Sequence, residues 1–341
     1  MTQHILSDTI AARYYIDIMT EISPLEKINS NFKNKDILSL DQFSPSDLKK
    51  LFTLTKKMKT IAVNAKPSDI LKGTITILLF FEPSSRTFGS FSAAIQQLGG
   101  SVIAFQGMGN SSAAKGETLE DTIRVFEGYS DAIVIRHSEV GTAQKAANAA
   151  TLVPIINAGD GIGEHPTQGL LDMATIYEKH GRLDNLTGVF AGDLLNGRTL
   201  HSTIRGLSLF KNNTLYLLSP KQLQLSREHY NEFTQRGLKL IEITNEKDIP
   251  ANADFWYWTR VQKERFKSLA DYEKVKNKFI VTKKLMKERA GKETIIMHPL
   301  PRVGEIESDV DDDRRAVYLR NQIRNGMYVR MALLALILGK A

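Results

Sequence analysis

Hydrophobic positions along the 341-residue chain fall into two alternating kinds of stretch. Short runs rich in β-branched and aromatic residues occur at Thr74–Phe81, Val102–Phe105, Ala132–Ile135, Leu152–Ile156 and Gly188–Ala191. Five more follow at Leu215–Leu218, Leu238–Ile243, Asp254–Trp258, Phe279–Val281 and Thr294–Met297. Between them apolar residues recur with helical spacing, as in Phe88–Leu98, Glu117–Tyr129, Gln168–Lys179 and Arg198–Leu209. Nearly continuous apolar runs suit strands buried on both faces, and their alternation with helices predicts parallel sheets in an α/β architecture. So many strands suit two doubly wound sheets rather than one. Ser44-Pro45-Ser46 opens a helix, with Ser as cap and Pro in the first turn. Residues 1–32 are weakly patterned and are expected to form an N-terminal extension with one helix over Thr9–Thr20.

Composition narrows the class. Hydrophobic residues make up 42% and charged residues 24%, which excludes a disordered chain, a collagen and a coiled coil. Lys and Arg total 45 against 38 Asp and Glu, a formal charge of +7. Such a balance favours anionic ligands, but no basic run marks a nucleic-acid arm, so no nucleic-acid partner is expected. With no cysteine there is no disulfide, no thiolate nucleophile and no Cys-ligated zinc. The N-terminus lacks the features of a signal peptide, and Met331–Leu338 is far short of the ~20 residues that span a bilayer. A cytoplasmic location without membrane contact is therefore expected. The chain has no HExxH pair, and Asp309–Asp313 lacks the Gly and distal Glu of a calcium loop. No metal and no cofactor are expected.

Ligands of doubly wound sheets bind beyond the carboxyl ends of the strands, so the polar clusters there hold the candidate chemistry. Glu82-Pro83-Ser84-Ser85-Arg86-Thr87 combines hydroxyls, a guanidinium and a helix start, an arrangement suited to phosphate. It also reads as a plain structural cap. Ser111 and Lys115 lie in a small-residue loop that is either a mobile anion-binding arm or a solvated turn. Arg136-His137 ends a strand, where a surface ion pair is the alternative. His165 and Gln168 stand three apart at a helix start and can face one ligand, the imidazole as a donor to a carbonyl oxygen. Gly192–Thr199 nearly matches the phosphate loop GxxxxGK[ST], with Arg198 in place of Lys, which makes a nucleotide hydrolase a rival. A guanidinium does not copy the point charge of that lysine. Arg260 and Gln262 form a carboxylate clamp beside an amide. In His298-Pro299-Leu300-Pro301 the prolines leave the Leu300 carbonyl free of competing donors.

In this order, Ser84–Thr87, Lys115-Gly116-Glu117, Arg136-His137, His165-Pro166-Thr167-Gln168, Gly197-Arg198-Thr199, Thr259-Arg260-Val261-Gln262 and His298–Pro301 resemble the aspartate carbamoyltransferase family, from about residue 33 to the C-terminus. That resemblance implies transfer of a carbamoyl group from carbamoyl phosphate to the amine of L-aspartate, in pyrimidine synthesis and without a cofactor. It implies a carbamoyl phosphate domain (33–165 plus 326–341, the C-terminal helix returning) and an aspartate domain (166–325). Ser84, Ser85, Arg86 and Thr87 would hold the phosphate. Arg136, His165 and Thr87 would bond the carbamoyl oxygen, while Gln168 and the carbonyls of Leu300 and Pro301 hold its amine. Arg198, Arg260 and Gln262 would grip aspartate. Ser111 and Lys115 would come from a neighbouring subunit of a homotrimer, and regulatory chains are left open. The family's arginine-threonine-arginine is here Arg86-Thr87-Phe88, which removes one cation and keeps a non-catalytic, ligand- or partner-binding paralogue as the alternative. Ornithine carbamoyltransferases carry HCLP where this chain has His298-Pro299-Leu300-Pro301.

Overall fold

The computed structural model describes residues 25–64, 68–107, 116–161, 163–261, 268–273 and 278–341. Two parallel sheets organise them. The first contains β1 (Ile75–Phe80), β2 (Ser101–Gln106), β3 (Ala132–His137) and β4 (Ile155–Asp160) in the order β2-β1-β3-β4. The second contains β5 (Thr187–Ala191), β6 (Thr214–Leu218), β7 (Lys239–Ile243), β8 (Phe255–Trp258) and β9 (Ile295–Met297) in the order β7-β6-β5-β8-β9. Helices α1 (Pro45–Val63), α2 (Ser85–Gln97), α3 (Leu119–Glu127), α4 (Thr142–Ala149) and α5 (Pro166–His180) accompany the first sheet. They are followed by α6 (Arg198–Leu207), α7 (Arg227–Gln235), α8 (Leu269–Glu273), α9 (Lys283–Arg289) and α10 (Asn321–Ile337).

The strand order reverses between β1 and β3 in one sheet and between β5 and β8 in the other. Crevices open at such reversals, beyond the strand carboxyl ends. Those ends carry Glu82–Thr87 and Arg136 in the first sheet, and Gly192–Arg198 and Thr259-Arg260 in the second. The two doubly wound sheets expected from the alternating pattern are thus present, and the topology aims the polar clusters at one region.

Helix α10 returns to the helices of the first sheet. Its sequence is buried almost all round, from Tyr328 to Ile337 without a break, as a central helix must be. It packs on α1 and α2 and also along α5. It begins at Asn321, five residues before the segment expected to return to the first domain. Ile28 and Phe32, which fall in the expected extension, are buried in the same core, and Asn34 donates its N–H to the Ile337 carbonyl at 2.8 Å. The helix expected over Thr9–Thr20 lies outside the described residues.

Other expectations shift for identifiable reasons. Strand β4 runs three residues later than its apolar signal, through Asn157, Gly159 and Asp160, all buried. Asp160 is tolerated because its carboxylate accepts from Gly141 N, Glu164 N and Asn157 Nδ2. Phe279–Val281 forms no strand; Val281 makes one isolated bridge with Ile306, while Phe279 has φ +61° and its carbonyl accepts the Trp258 indole N–H at 2.5 Å. The described residues therefore hold nine strands rather than ten.

Candidate active site

Three of the helices that begin without a side-chain cap open on one cavity. Ser84 has the extended backbone of a cap residue (φ −156°, ψ 92°) before α2, yet its hydroxyl accepts no capping bond. His165 precedes α5 and Gly197 precedes α6, again without a side-chain cap. By contrast Ser44, Thr118, Ser226 and Thr282 do cap α1, α3, α7 and α9. Unsatisfied first-turn N–H groups suit an anion. Ser84 is thus not a structural cap. The cavity measures about 420 Å³ and is lined by Ser84, Arg86, Thr87, Arg136, His165, Gln168, Arg198 and Leu300, among others.

Its electrostatics are set by closely spaced cations. Arg136, 6% exposed at the end of β3, donates to the Ala158 carbonyl at 3.0 Å and pairs with Glu82 at 2.7 Å. Gly159 (φ +117°) makes room, since a Cβ there would stand 2.6 Å from the Arg136 guanidinium. Arg198 reaches the same Glu82 oxygen at 3.5 Å and also bonds the Gly161 carbonyl. Burial and the charge of Arg198 push Arg136 down to about 10, with Glu82 opposing, so it stays charged at neutral pH.

His165 is 4% exposed between these groups. Burial, then the charges of Arg136, Arg198 and Arg330, hold its imidazole well below the ordinary 6.5. It is therefore neutral at pH 7, with one N–H to donate. Its ring nitrogens stand 3.5 Å from Thr87 Oγ1 and from Thr167 Oγ1, and its backbone N–H is anchored on Ser202 Oγ at 3.0 Å. Across the cavity, His298 Nδ1 accepts the Leu300 N–H at 2.8 Å and its Nε2 faces Glu305 at 2.7 Å. Leu300 sits at φ +57° before a cis Pro301, and its carbonyl lies 3.4 Å from Arg86 Nη2. Fixed cations, a neutral donor and a carbonyl acceptor held only by a long contact from Arg86 together suit a ligand that is anionic at its ends and has an amide-like centre.

Residues 35–178 match the model of the aspartate/ornithine carbamoyltransferase carbamoyl-P binding domain, and residues 184–337 match the Asp/Orn binding domain. The chain belongs to the aspartate/ornithine carbamoyltransferase family. It is 42% identical over 303 residues to the aspartate carbamoyltransferase catalytic subunit of Methanobrevibacter smithii, covering 89% of this chain and 94% of that one. It is 45% identical over 311 residues to the multifunctional protein pyr1-3 of Dictyostelium discoideum, covering 91% of this chain but only 14% of that protein. Among solved structures, Trypanosoma cruzi aspartate transcarbamoylase in complex with carbamoyl phosphate and aspartate superposes with a TM-score of 0.83 at 39% identity, covering 92% of this chain and 99% of that one.

The sequence expectations divide by whether their residues line this cavity. The cavity gathers Ser84, Arg86, Thr87, Arg136, His165, Gln168, Arg198 and Leu300. Ser85, Pro301 and Arg260 are not among its wall residues, although the positive charge of Arg260 acts on Arg86 and His298. Ser111, Lys115 and Gln262 lie outside the described residues. The phosphate-loop rival fails on geometry: Leu194 and Leu195 donate their N–H groups to the Leu223 carbonyl, and Asp193 N donates to Thr259 Oγ1. Those amides are spent inside the fold and cannot cradle a triphosphate. Phe88 packs edge-on against Phe80 with centroids 5.3 Å apart, so that side chain lies partly buried against the core. Sequence reasoning missed Arg330, a buried wall residue from α10 that donates to Ser90 on α2 and Thr167 on α5. It also assigned no role to Glu82, the acid shared by Arg136 and Arg198.

A stability prediction follows from the histidines. His137, His165, His180, His201, His229 and His298 are all held below 6.5, with burial the largest cause in each, and His201 reaches about 3. Below about pH 6.5 the unfolded chain takes up protons that the native state refuses, so stability is lost as pH falls. Asp172, raised by burial to about 6, works in the opposite direction between that value and the ordinary carboxylate range, as do Asp36, Asp160, Glu164 and Glu246, each raised by burial. The six histidines outnumber these five carboxylates. Thermal unfolding should show Tm falling between about pH 7.5 and 5.5; a Tm that rises on acidification would contradict the burial of these rings.

Proposed function

We propose that the protein is an aspartate carbamoyltransferase: it joins the amine of L-aspartate to the carbamoyl group of carbamoyl phosphate, releasing N-carbamoyl-L-aspartate and phosphate for pyrimidine synthesis. The observation that carries this reading is the neutral His165 set among guanidinium groups where uncapped helices meet the Leu300 carbonyl. Ser84, Ser85, Arg86 and Thr87 take the phosphate at the start of α2. Arg136, His165 and Thr87 polarise the carbonyl oxygen; Gln168 and the carbonyls of Leu300 and Pro301 accept from the carbamoyl amine. Arg198, Arg260 and Gln262 receive the aspartate carboxylates. The amine attacks the carbonyl carbon, charge collects on the oxygen, and the bond to phosphate breaks. The departing phosphate takes the proton that the amine loses. Rate enhancement comes from proximity and charge stabilisation, without a covalent enzyme intermediate.

We further propose a homotrimer with Ser111 and Lys115 reaching the neighbouring cavity. Strand β2 is a sheet edge that exposes Ile103, next to the ring cluster of Phe105, Phe126 and the 58%-exposed Tyr129. Apolar groups on an unpaired edge favour a second copy. Among the described residues no helix is long and apolar enough to cross a membrane, and we place the protein in the cytoplasm.

Carbamoyl phosphate assayed with aspartate and with ornithine should yield product with aspartate. Arg260→Ala removes a charge-assisted contact of about 1.5–3 kcal/mol, roughly 10- to 150-fold in apparent aspartate affinity, with carbamoyl phosphate affinity nearly unchanged. Equal weakening of both substrates would take Arg260 out of the aspartate site.

A further inference from the structure

Asp172 lies on α5 one turn beyond Gln168, fully buried, and four elements converge on its carboxylate. Oδ1 accepts from Gln168 Nε2 at 3.0 Å and from Gln322 Nε2 of α10 at 2.7 Å. Oδ2 accepts from Thr203 Oγ1 of α6 and from the Tyr257 hydroxyl of β8, each at 2.9 Å. An ionised carboxylate only accepts, so both amides must turn nitrogen toward it; a flipped amide would set oxygen against oxygen. For Gln322 the consequence is visible. Its Oε1, turned the other way, accepts the His298 N–H at 3.0 Å at the base of the loop that carries Leu300. Gln168 is a wall residue of the cavity, and with Nε2 committed to Asp172 its carbonyl oxygen is the end turned away from that carboxylate.

We propose that Asp172 is a specificity-determining positioning residue: it fixes the Gln168 amide with its oxygen outward, so that the site selects an acyl phosphate bearing an N–H over one ending in a methyl group. This rests on the reading of Gln168 as a partner of the carbamoyl amine. A methyl group cannot satisfy a carbonyl acceptor turned away from Asp172 toward the ligand, and a polar wall group left unpaired penalises the wrong ligand more than a good contact rewards the right one. Asp172 touches no substrate. It acts through the orientation of one amide, and through Gln322 it braces the Leu300 loop that supplies the other acceptor.

The test compares carbamoyl phosphate with acetyl phosphate as donors to aspartate, reading the ratio of their kcat/KM values. Gln168→Ala should lower that ratio about 10-fold or more, and Asp172→Ala should lower it by a similar factor. The double variant should fall no further, since both changes remove one oriented oxygen. Asp172→Asn keeps an oxygen for the two amides and can give its NH2 to the Thr203 and Tyr257 hydroxyl oxygens, so it should restore the ratio. If Asp172→Ala does not fold, Asp172→Ser, one bond shorter and still polar, reads the same quantity. Equal slowing of both donors in Asp172→Ala or Asp172→Ser, with the ratio kept, would overturn the proposal while Gln168 retained its role. A ratio in Asp172→Asn as low as in Asp172→Ala would also overturn it. A ratio unmoved by Gln168→Ala would instead remove the reading of Gln168 on which the proposal stands.

Discussion

His165→Ala should lower kcat by about 10²–10³-fold, the usual cost of one preorganised donor to a developing oxyanion, and leave the fold in place. The imidazole is suited to this role because it is neutral. Burial and three neighbouring guanidinium groups keep it unprotonated, so its N–H is a fixed dipole in a site that already holds the full charges of Arg136 and Arg198. Its side-chain contacts are long, 3.5 Å to each threonine, whereas the chain is anchored there by the backbone bond to Ser202. Alanine keeps that backbone bond. Steady-state kinetics, with circular dichroism as a control for folding, should therefore show a large loss in kcat and a smaller change in KM. Turnover close to wild type would make His165 a structural residue that merely lines the wall.

Much of this site is legible from strand ends alone. Ser84–Thr87, Arg136, Arg198 and Leu300 each follow or end an apolar run, and a parallel sheet brings such positions to one edge whatever the connecting helices contain. What is not legible is the layer that orients them. Asp172 and Gln322 meet across 150 positions of sequence, and each sits in a helix whose local pattern marks it only as a polar residue. Arg330 lies within the apolar stretch of α10, where nothing nearby in sequence announces Ser90 or Thr167 as its partners. Periodicity also fails where apolar residues are small or few: α4 is built of Thr, Ala, Gln, Lys and Asn, and α7 buries Phe233 alone. Phe88 shows the converse limit. Its motif position marks one missing cation near the phosphate loop, and the helix turns the side chain that replaces it toward Phe80.

On the proposed homotrimer, Lys115→Ala and His165→Ala chains, each nearly inactive alone, should regain about one quarter of wild-type activity when dissociated, mixed equally and reassembled. The chain leaves β2, the outermost strand of its sheet, at Gly107 and returns at Gly116 before α3. The cavity is built instead from residues at the inner strands β1 and β3 and at the start of α5. The β2 edge that precedes Lys115 in sequence thus exposes Ile103, and Tyr129 is exposed just after α3. In a closed ring with heterologous contacts, every interface joins the Lys115 side of one chain to the His165 side of the next. A mixed interface is complete only when the first chain carries the His165 change and the second carries the Lys115 change. With equal proportions each condition holds for about half the chains, which sets the fraction near one quarter. Subunit exchange must be shown independently, for example by a charge-tagged chain on native electrophoresis. A mixture that exchanges and stays inactive would mean that Lys115 serves its own chain or no site at all, and the shared-site trimer would fall with it.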